Sequence, residues 1–548
     1  MPFVGDILSQ LKAAGGTPVL EEIRDGRVTR VTGSEFLELI RRARTFLASR
    51  GLQKGDRCGL LASNSIRWVA LDLAAMAEGL IVVPLYHRQA AAELVAMIRD
   101  SSPALVCCGD AVLRDGILQT WPSAPPHFLL DEIFAGVEGV QLDRPQVRDA
   151  DPVTIIYTSG TSGEAKGVVL TAANVGFMLG CTSARLDELM GSRSGQDRIF
   201  HYLPFSFCAS WIAVLTFILR GSLVSLNTDL TRIPNDMAEV APHYFLNVPQ
   251  LLERMRRGVD EQIAKKGGIV QAIYSRAMTA WAGKGGSSRL GDAICLWLAR
   301  IAVFPALRKK VVGGNLKALI SGSAPLTPET QDYFSMLGIP VLQVYGLTET
   351  TGICTMDDPH HPVPGRVGPA IPGIDMRLGE NDEIIVRGPN VFPGYWNRPQ
   401  QTAEVLRDGW FHTGDQGELD ESGTWRIVGR IKNLIVLGSG HKIAPEPVED
   451  EIARHLPGAQ QVVVVGNGRG YLSAIVTGSV TGDQVQAALD ALNSQLSHYK
   501  QVRAFCLRPE PFSVENGMLT TNGKLKRDQI AARMKSEIEN MYRVKEAV

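Results

Sequence analysis

V-T-I-I-Y at residues 153–157 runs directly into T-S-G-T-S-G-E-A-K-G at residues 158–167, and that junction decides the fold class. The first run is apolar and β-branched and reads as a buried strand. The second is too rich in glycine and hydroxyl side chains to continue it. Small residues there let backbone N–H groups converge. Thr158, Ser159, Thr161 and Ser162 add hydroxyls, Gly160 and Gly163 remove bulk, and Lys166 adds a mobile positive charge. Such a loop suits a polyphosphate. It is not a Walker A loop, because E-A-K-G comes after Gly163 in place of G-K-S/T, so a simple P-loop phosphotransferase is disfavoured. A short Gly/Ser/Thr-rich stretch taken alone is more often a plain surface loop, so its meaning depends on the rest of the chain.

Outward from this junction, short apolar runs at 58–62, 81–84, 104–107, 223–226, 316–320 and 341–344 alternate with helical patterns. Two of the helices are expected at 34–49, opened by an S-x-x-L cap, and at 66–78, with apolar residues at three-to-four spacing. The alternation predicts layered α/β subdomains. From about residue 375 turn signals separate shorter strands, as in G-E-N-D-E before I-I-V (379–386) and D-E-S-G before W-R-I-V (420–428). A β-rich subdomain is therefore expected over about 375–431, closing a large N-terminal domain of residues 1–431. Beyond it, a helix near 447–455, strands at 462–465 and 471–476 and a helix near 482–496 predict a small α+β domain over 432–548.

With 548 residues the chain needs several subdomains around a large interior. Lys and Arg number 56 against 57 Asp and Glu, a net charge of -1, which gives no general pull toward nucleic acid. Eight scattered cysteines form no C-x-x-C pair and have no histidine at metal-ligand spacing, which fits free packing thiols in a reducing cytoplasm. Asp6 interrupts what a signal peptide would need as apolar sequence, again favouring a cytoplasmic protein. The apolar stretches 211–226 and 293–307 are broken by Arg220 and Arg300 and are short for a membrane span. A buried amphipathic helix is the preferred reading of the second, and peripheral contact with a membrane is the alternative.

Five signatures in order make the chain resemble the adenylate-forming superfamily of acyl-CoA synthetases, luciferases and nonribosomal adenylation domains. They are Y-T-S-G-T-S-G-E-A-K-G (157–167), Y-G-L-T-E (345–349), W-F-H-T-G-D (410–415), G-R-I-K-N (429–433) and N-G-K-L-K (522–526). The resemblance spans nearly the whole chain and implies a large domain with a small mobile C-terminal one.

It also implies roles. Tyr345 and Gly346 would lie against adenine, with Ser323, Ala324 and Pro325 of S-G-S-A-P on the same side. Thr348 would bond the α-phosphate. Glu349, helped by Thr158, would hold Mg²⁺, and Asp415 and Arg430 would grip the ribose. Lys524 would approach the reacting carboxylate, Lys432 would be the hinge, and Gly440, His441 and Lys442 would face coenzyme A after the small domain turns. Taken singly each has an ordinary explanation: a carboxylate after a strand caps a helix, and Lys524, Lys526 and Arg527 form a solvated basic stretch.

The segments 245–255, 341–349 and 437–449, with a helical insert at about 263–310, look most like the long-chain fatty acyl-CoA synthetases. Phe207, Trp211 and Val248 would then border the acyl chain. Phe207 stands where the family usually has histidine, Gln250 where long-chain relatives commonly have arginine, and T-N-G-K (521–524) matches the general superfamily form. The expected activity is ATP-dependent conversion of a medium- or long-chain fatty acid to acyl-AMP and then to a CoA thioester. The alternatives are loading of a carrier protein, closure of a hydroxy acid to a β-lactone, and nucleotide binding without turnover. Monomer and homodimer both remain open.

Overall fold

The computed structural model describes residues 2–142, 146–159, 165–191, 195–282, 294, 296–520 and 523–543. Two large sheets account for most of the strands before residue 396. One has eight strands in the order Thr355–Met356, Val341–Tyr345, Ala318–Ser321, Tyr244–Asn247, Arg198–His201, Leu223–Asn227, Pro18–Arg24 and Arg27–Thr32, parallel inside and antiparallel at both edges. The other runs Gly394–Tyr395, Ala165–Thr171, Pro152–Ser159, Ile81–Leu85, Arg57–Leu61, Leu105–Cys108 and His127–Leu129. Every strand expected from the apolar runs is present, with ends displaced by no more than about two residues.

The helix Ile66–Ala77 lies between the two sheets, touching Pro18–Arg24 of one and Arg57–Leu61 and Ile81–Leu85 of the other. That position explains why residues from all round the helix, Ile66, Trp68, Val69, Leu71, Leu73 and Met76 among them, are buried. Cys208–Leu219 is similarly enclosed, and the Trp211 Nε1 donates to Asp72 Oδ2 at 2.8 Å. Burial pushes Asp72 up to about 7.

The cap of the helix at 34–49 differs from expectation. The helix is Gly33–Ser49, and Thr32 caps it: Thr32 Oγ1 accepts from the Glu35 N–H, and Thr32 N–H donates to Glu35 Oε2 at 2.8 Å. This reciprocal box satisfies two otherwise orphaned donors, which Ser34 further along would not do.

Next in the chain comes an antiparallel sheet of Asp375–Leu378, Glu383–Arg387, Trp410–Leu419 and Leu406–Arg407, with Trp425–Arg430 pairing on Trp410–Leu419. The small C-terminal domain is built on Ala459–Val465, Leu472–Gly478 and Val502–Arg508. Its sheet buries apolar side chains on both faces. Val462, Val464 and Val476 meet helices Pro445–His455 and Gly482–Asn493, while Val463 and Ile475 meet Phe512, Met518, Ile530 and Met541. The strand Val502–Arg508 and the last two helices, Arg527–Arg533 and Lys535–Arg543, were not expected from sequence.

The helical insert divides into Pro249–Lys266, Gly268–Ala282, a π-helical turn Ala299–Val303 and Phe304–Val312. Ala299, Phe304 and Leu307 join a core with Phe245, Leu252, Tyr274 and Phe334. Among the described residues of the 293–307 stretch burial is only partial, because Ile294, Trp297, Leu298 and Ile301 face outward. The segment has two apolar faces, and one is covered.

Candidate active site

Strands Ala318–Ser321 and Val341–Tyr345 are parallel neighbours, so the segments after them open on one edge of the sheet. Ser323, Ala324 and Pro325 are exposed there, and Ser323 takes a left-handed φ of 72°. Gly346 folds back against the chain: a Cβ on it would lie 2.3 Å from the Gly352 carbonyl oxygen and 2.6 Å from Ile353 Cα. The tight turn presenting Thr348 and Glu349 therefore requires glycine at 346.

Asp415 is buried at the centre of this edge. Tyr345 Oη donates to Asp415 Oδ2 at 2.8 Å, and Arg430 Nε lies 2.6 Å from Oδ1, brought there because Asp415 and Arg430 are cross-strand partners. The Thr413 hydroxyl accepts from the Asp415 N–H at 3.0 Å while donating to the Ile384 carbonyl at 2.7 Å. Burial raises the Asp415 carboxyl above the usual range, opposed by Arg430, the Tyr345 bond and Lys524. Burial and Asp415 also push the Tyr345 phenol far up, so it stays a donor. A carboxylate has about four acceptor positions, so two such bonds leave capacity for more.

Glu349 accepts a 2.8 Å hydrogen bond from Tyr395 Oη, and the Lys166 ammonium sits 5.1 Å above the Tyr395 ring. Tyr395 can bridge the two because Gly394–Tyr395 pairs with Val168 and Val169 on the arm leading out of the opening loop. The loop's two described ends pair antiparallel, with Thr158 opposite Lys166 and Ser159 opposite Ala165. Gly160, Thr161, Ser162 and Gly163 lie outside the described residues. Tyr395 was missed by sequence reasoning; its only signal is an aromatic pair after a glycine.

Lys524 reaches the cluster from the small domain. Its ammonium end is held below its usual range, first by burial and then by Arg430, while Asp415 and Glu349 pull it back up. The residue as a whole is exposed, so its stem faces solvent and its charged tip is enclosed. The tight turn carrying it is closed by Thr520 N–H to the Lys524 carbonyl and Lys524 N–H to Thr520 Oγ1, at 2.8 and 3.0 Å. Nearby Arg527 makes a two-pronged ion pair with Glu449 at 2.7 and 2.5 Å. Arg527 is thus an anchor, whereas a solvated basic stretch was the ordinary expectation.

The remaining expected residues have partners of their own. Lys432 is on the turn Ile431–Asn433, held low first by burial and then by Arg430. Gly440, His441 and Lys442 are exposed: His441 stacks on Tyr499 at 4.3 Å, and Lys442 Nζ donates to Asn381 Oδ1 at 2.9 Å. Phe207 is half-buried 5.6 Å from the Tyr86 ring, and Val248 caps the start of Pro249–Lys266. Trp211 is buried against Asp72. His201, not singled out from sequence, lies buried and stacked on the Phe205 ring at 5.4 Å. Its Nε2 is 2.8 Å from Ser210 Oγ and 3.1 Å from the Leu203 carbonyl oxygen, and burial holds it at about 4, hence neutral.

A buried Asp415 holding Tyr345 and Arg430, with Glu349 held by Tyr395 and Lys524 supplied by the small domain, fits the class of adenylating enzymes, and comparison with known proteins agrees. The chain belongs to the AMP-binding enzyme family: the family's model matches residues 10–396, and that of the AMP-binding enzyme C-terminal domain matches 432–546. It is 30% identical to the long-chain-fatty-acid–CoA ligase FadD15 of Mycobacterium bovis, covering 96% of this chain and 94% of that one. It is 26% identical to long chain acyl-CoA synthetase 3 of Arabidopsis thaliana, covering 95% and 89%. Among solved structures, ATP-bound MatB from Rhodopseudomonas palustris matches with 25% identity and a TM-score of 0.74, covering 97% of this chain and 99% of that one. The o-succinylbenzoate CoA synthetase MenE of Bacillus subtilis shares the fold at 20% identity, with a TM-score of 0.76 over 96% and 97%.

Proposed function

We propose that this chain activates a medium- or long-chain fatty acid with ATP and passes the acyl group to coenzyme A. The observation that carries the reading is the buried Asp415 gathering Tyr345 at 2.8 Å and Arg430 at 2.6 Å, with the Lys524 ammonium within electrostatic reach of it. The names of the FadD15 and Arabidopsis relatives support the acyl class.

A carboxylate is a poor acyl donor because oxide is a poor leaving group. In the first step a carboxylate oxygen bonds the α-phosphorus of ATP and pyrophosphate leaves. Lys524 offsets the negative charge gathering there, Thr348 bonds the α-phosphate, and the loop 158–167 with Lys166 holds the β- and γ-phosphates. Tyr345 packs on adenine, and Asp415 and Arg430 hold the ribose. In the second step the thiol of coenzyme A bonds the acyl carbon and AMP leaves. The small domain pivots near Lys432 between the steps, withdrawing Lys524 and bringing Gly440, His441 and Lys442 to the acyl group.

Glu349 and Thr158 fit Mg²⁺. Both offer hard oxygen donors, and among the described residues no three His, Cys, Asp or Glu side chains converge. A cation taking one or two protein oxygens and the rest from phosphate and water needs no more. When bound, Mg²⁺ would neutralise phosphate charge.

Incubation with ATP, Mg²⁺ and a chain-length series of acids, with and without coenzyme A, tests the reading by product mass. Acyl-CoA, AMP and pyrophosphate from medium and long chains are expected. Absence of AMP with every acid would remove it. Acyl-AMP that coenzyme A fails to discharge would favour a carrier-protein acceptor, and a dehydrated hydroxy acid would favour the lactone.

A further inference from the structure

We propose that Asp100 is a positioning residue for the phosphate end of the site, fixing the loop that takes the β- and γ-phosphates against the tyrosine that holds Glu349. Asp100 stands in the last turn of helix Ala91–Ser101. A carboxylate there faces the helix's partly negative end, so the helix itself gains nothing from it. Its partners come from two distant parts of the chain. Asp100 Oδ2 accepts from Tyr157 Oη at 2.6 Å, and Oδ1 lies 3.0 Å from Arg398 Nη1. Tyr157 is the residue before Thr158, and Arg398 closes the turn begun by Tyr395, its N–H donating to the Tyr395 carbonyl at 3.3 Å. The same carboxylate therefore joins the root of the loop to the root of the Tyr395 turn.

The surrounding contacts stiffen that joint. The Asp100 carbonyl accepts from Trp396 Nε1 at 3.2 Å, while the Trp396 N–H donates to the Gly167 carbonyl at 2.7 Å. Gly167 is the cross-strand partner of Tyr157, and a Cβ on it would lie 2.7 Å from Ile155 Cγ2 and 3.3 Å from both Trp396 Cβ and Tyr157 Cζ. Glycine is needed at 167 because these side chains close over it. Arg57 holds the helix end: its Nε and Nη2 donate to the Ser101 and Ser102 carbonyls at 3.0 and 2.7 Å, and its guanidinium lies 5.7 Å from the centre of the Trp396 ring. The Asp100 and Arg398 side chains are only 18% and 24% exposed, so solvent screens their attraction less than that of a surface pair. A shift of this joint carries Tyr395 with it, and hence the hydroxyl donated to Glu349. Asp415, Tyr345 and Arg430 are held by bonds of their own, so the adenosine end does not depend on Asp100. The inference rests on the reading of this edge as the ATP site.

Titration calorimetry of the full chain with Mg²⁺-ATP and with AMP tests it, because AMP lacks the two outer phosphates. The wild type should bind both. Asp100→Ala should weaken Mg²⁺-ATP by about tenfold and AMP by less than about twofold, with Asp100→Asn between, since an amide still accepts from Tyr157 but offers Arg398 no charge. Tyr157→Phe and Arg398→Gln each remove one partner and should each weaken Mg²⁺-ATP alone, by about threefold. In a Tyr395→Phe background the effect of Asp100→Ala should shrink to about threefold, because the two residues act along one path. Equal weakening of ATP and AMP would make Asp100 a general support of the fold and overturn the proposal. Unchanged ATP affinity would do the same, as would effects of Asp100→Ala and Tyr395→Phe that simply multiply. If Asp100→Ala does not fold, Tyr157→Phe and Arg398→Gln decide the matter on the same terms. A wild type that binds neither nucleotide overturns the ATP-site reading together with the inference, whereas a wild type that binds both beside variants with an unchanged ATP-to-AMP ratio overturns the inference alone.

Discussion

Two loops of the small domain make an instructive pair. Each turns on a glycine with a left-handed φ, 75° at Gly523 and 84° at Gly440, and each carries lysine immediately or two residues later. One brings its lysine tip within electrostatic reach of Asp415, Glu349 and Arg430, while the other is exposed, with His441 stacked on Tyr499. Local sequence does not separate them. The anchoring does, since Arg527 fixes the first turn to Glu449 on helix Pro445–His455.

The difference can be broken from either side. Lys524→Ala should cost the most, roughly a hundred- to thousandfold in carboxylate-dependent pyrophosphate exchange, with thioester formation from supplied acyl-AMP largely kept. Equal loss in both half-reactions would end the division of labour. Gly440→Val should do the reverse: strained backbone and added bulk should slow thioester formation by about tenfold or more while exchange stays near wild type. Asp415→Asn should raise the KM for ATP by about tenfold, because the carboxylate that gathers Tyr345 and Arg430 loses its charge.

Tyr395→Phe removes the hydroxyl donated to Glu349 but keeps the ring under Lys166. A several-fold rise in the Mg²⁺ concentration for half-maximal exchange is expected, in line with about 1 kcal/mol for one side-chain hydrogen bond. The smallest effect concerns pH. Lys524 acts as a cation, and burial and Arg430 lower its pKa, so exchange should decline on the alkaline side earlier than an ordinary lysine would allow. In Lys524→Arg any residual exchange should hold to higher pH. An unmoved alkaline limb would assign that titration to another group.

Much of this was legible beforehand, and for unequal reasons. Strands such as Leu105–Cys108 and Ile81–Leu85 were visible because a buried parallel strand is nearly continuously apolar. The strand Pro18–Arg24 was missed, since its Glu21 and Glu22 read as surface; Glu21 is in fact buried, paired with Arg30 and the Ser225 hydroxyl. In the site, Asp415, Glu349 and Lys524 came from motifs that keep spacing. Tyr395 and Glu449 act through partners 46 and 78 positions away, and no local pattern encodes such a pairing. Periodicity showed that 293–307 was apolar on a helix, but it could not tell a covered face from a bare one.

Lys524 and Gly440 both belong to the small domain, whose loops are tied to its own sheets and helices. Under the proposed pivot they behave as two ends of a rocker: when one is seated, the other is lifted away. The order of the two half-reactions would then be kept mechanically, like the beat of an escapement. The activated acyl group would not have to distinguish an early thiol from a timely one, because the thiol's doorway would open only as the lysine leaves.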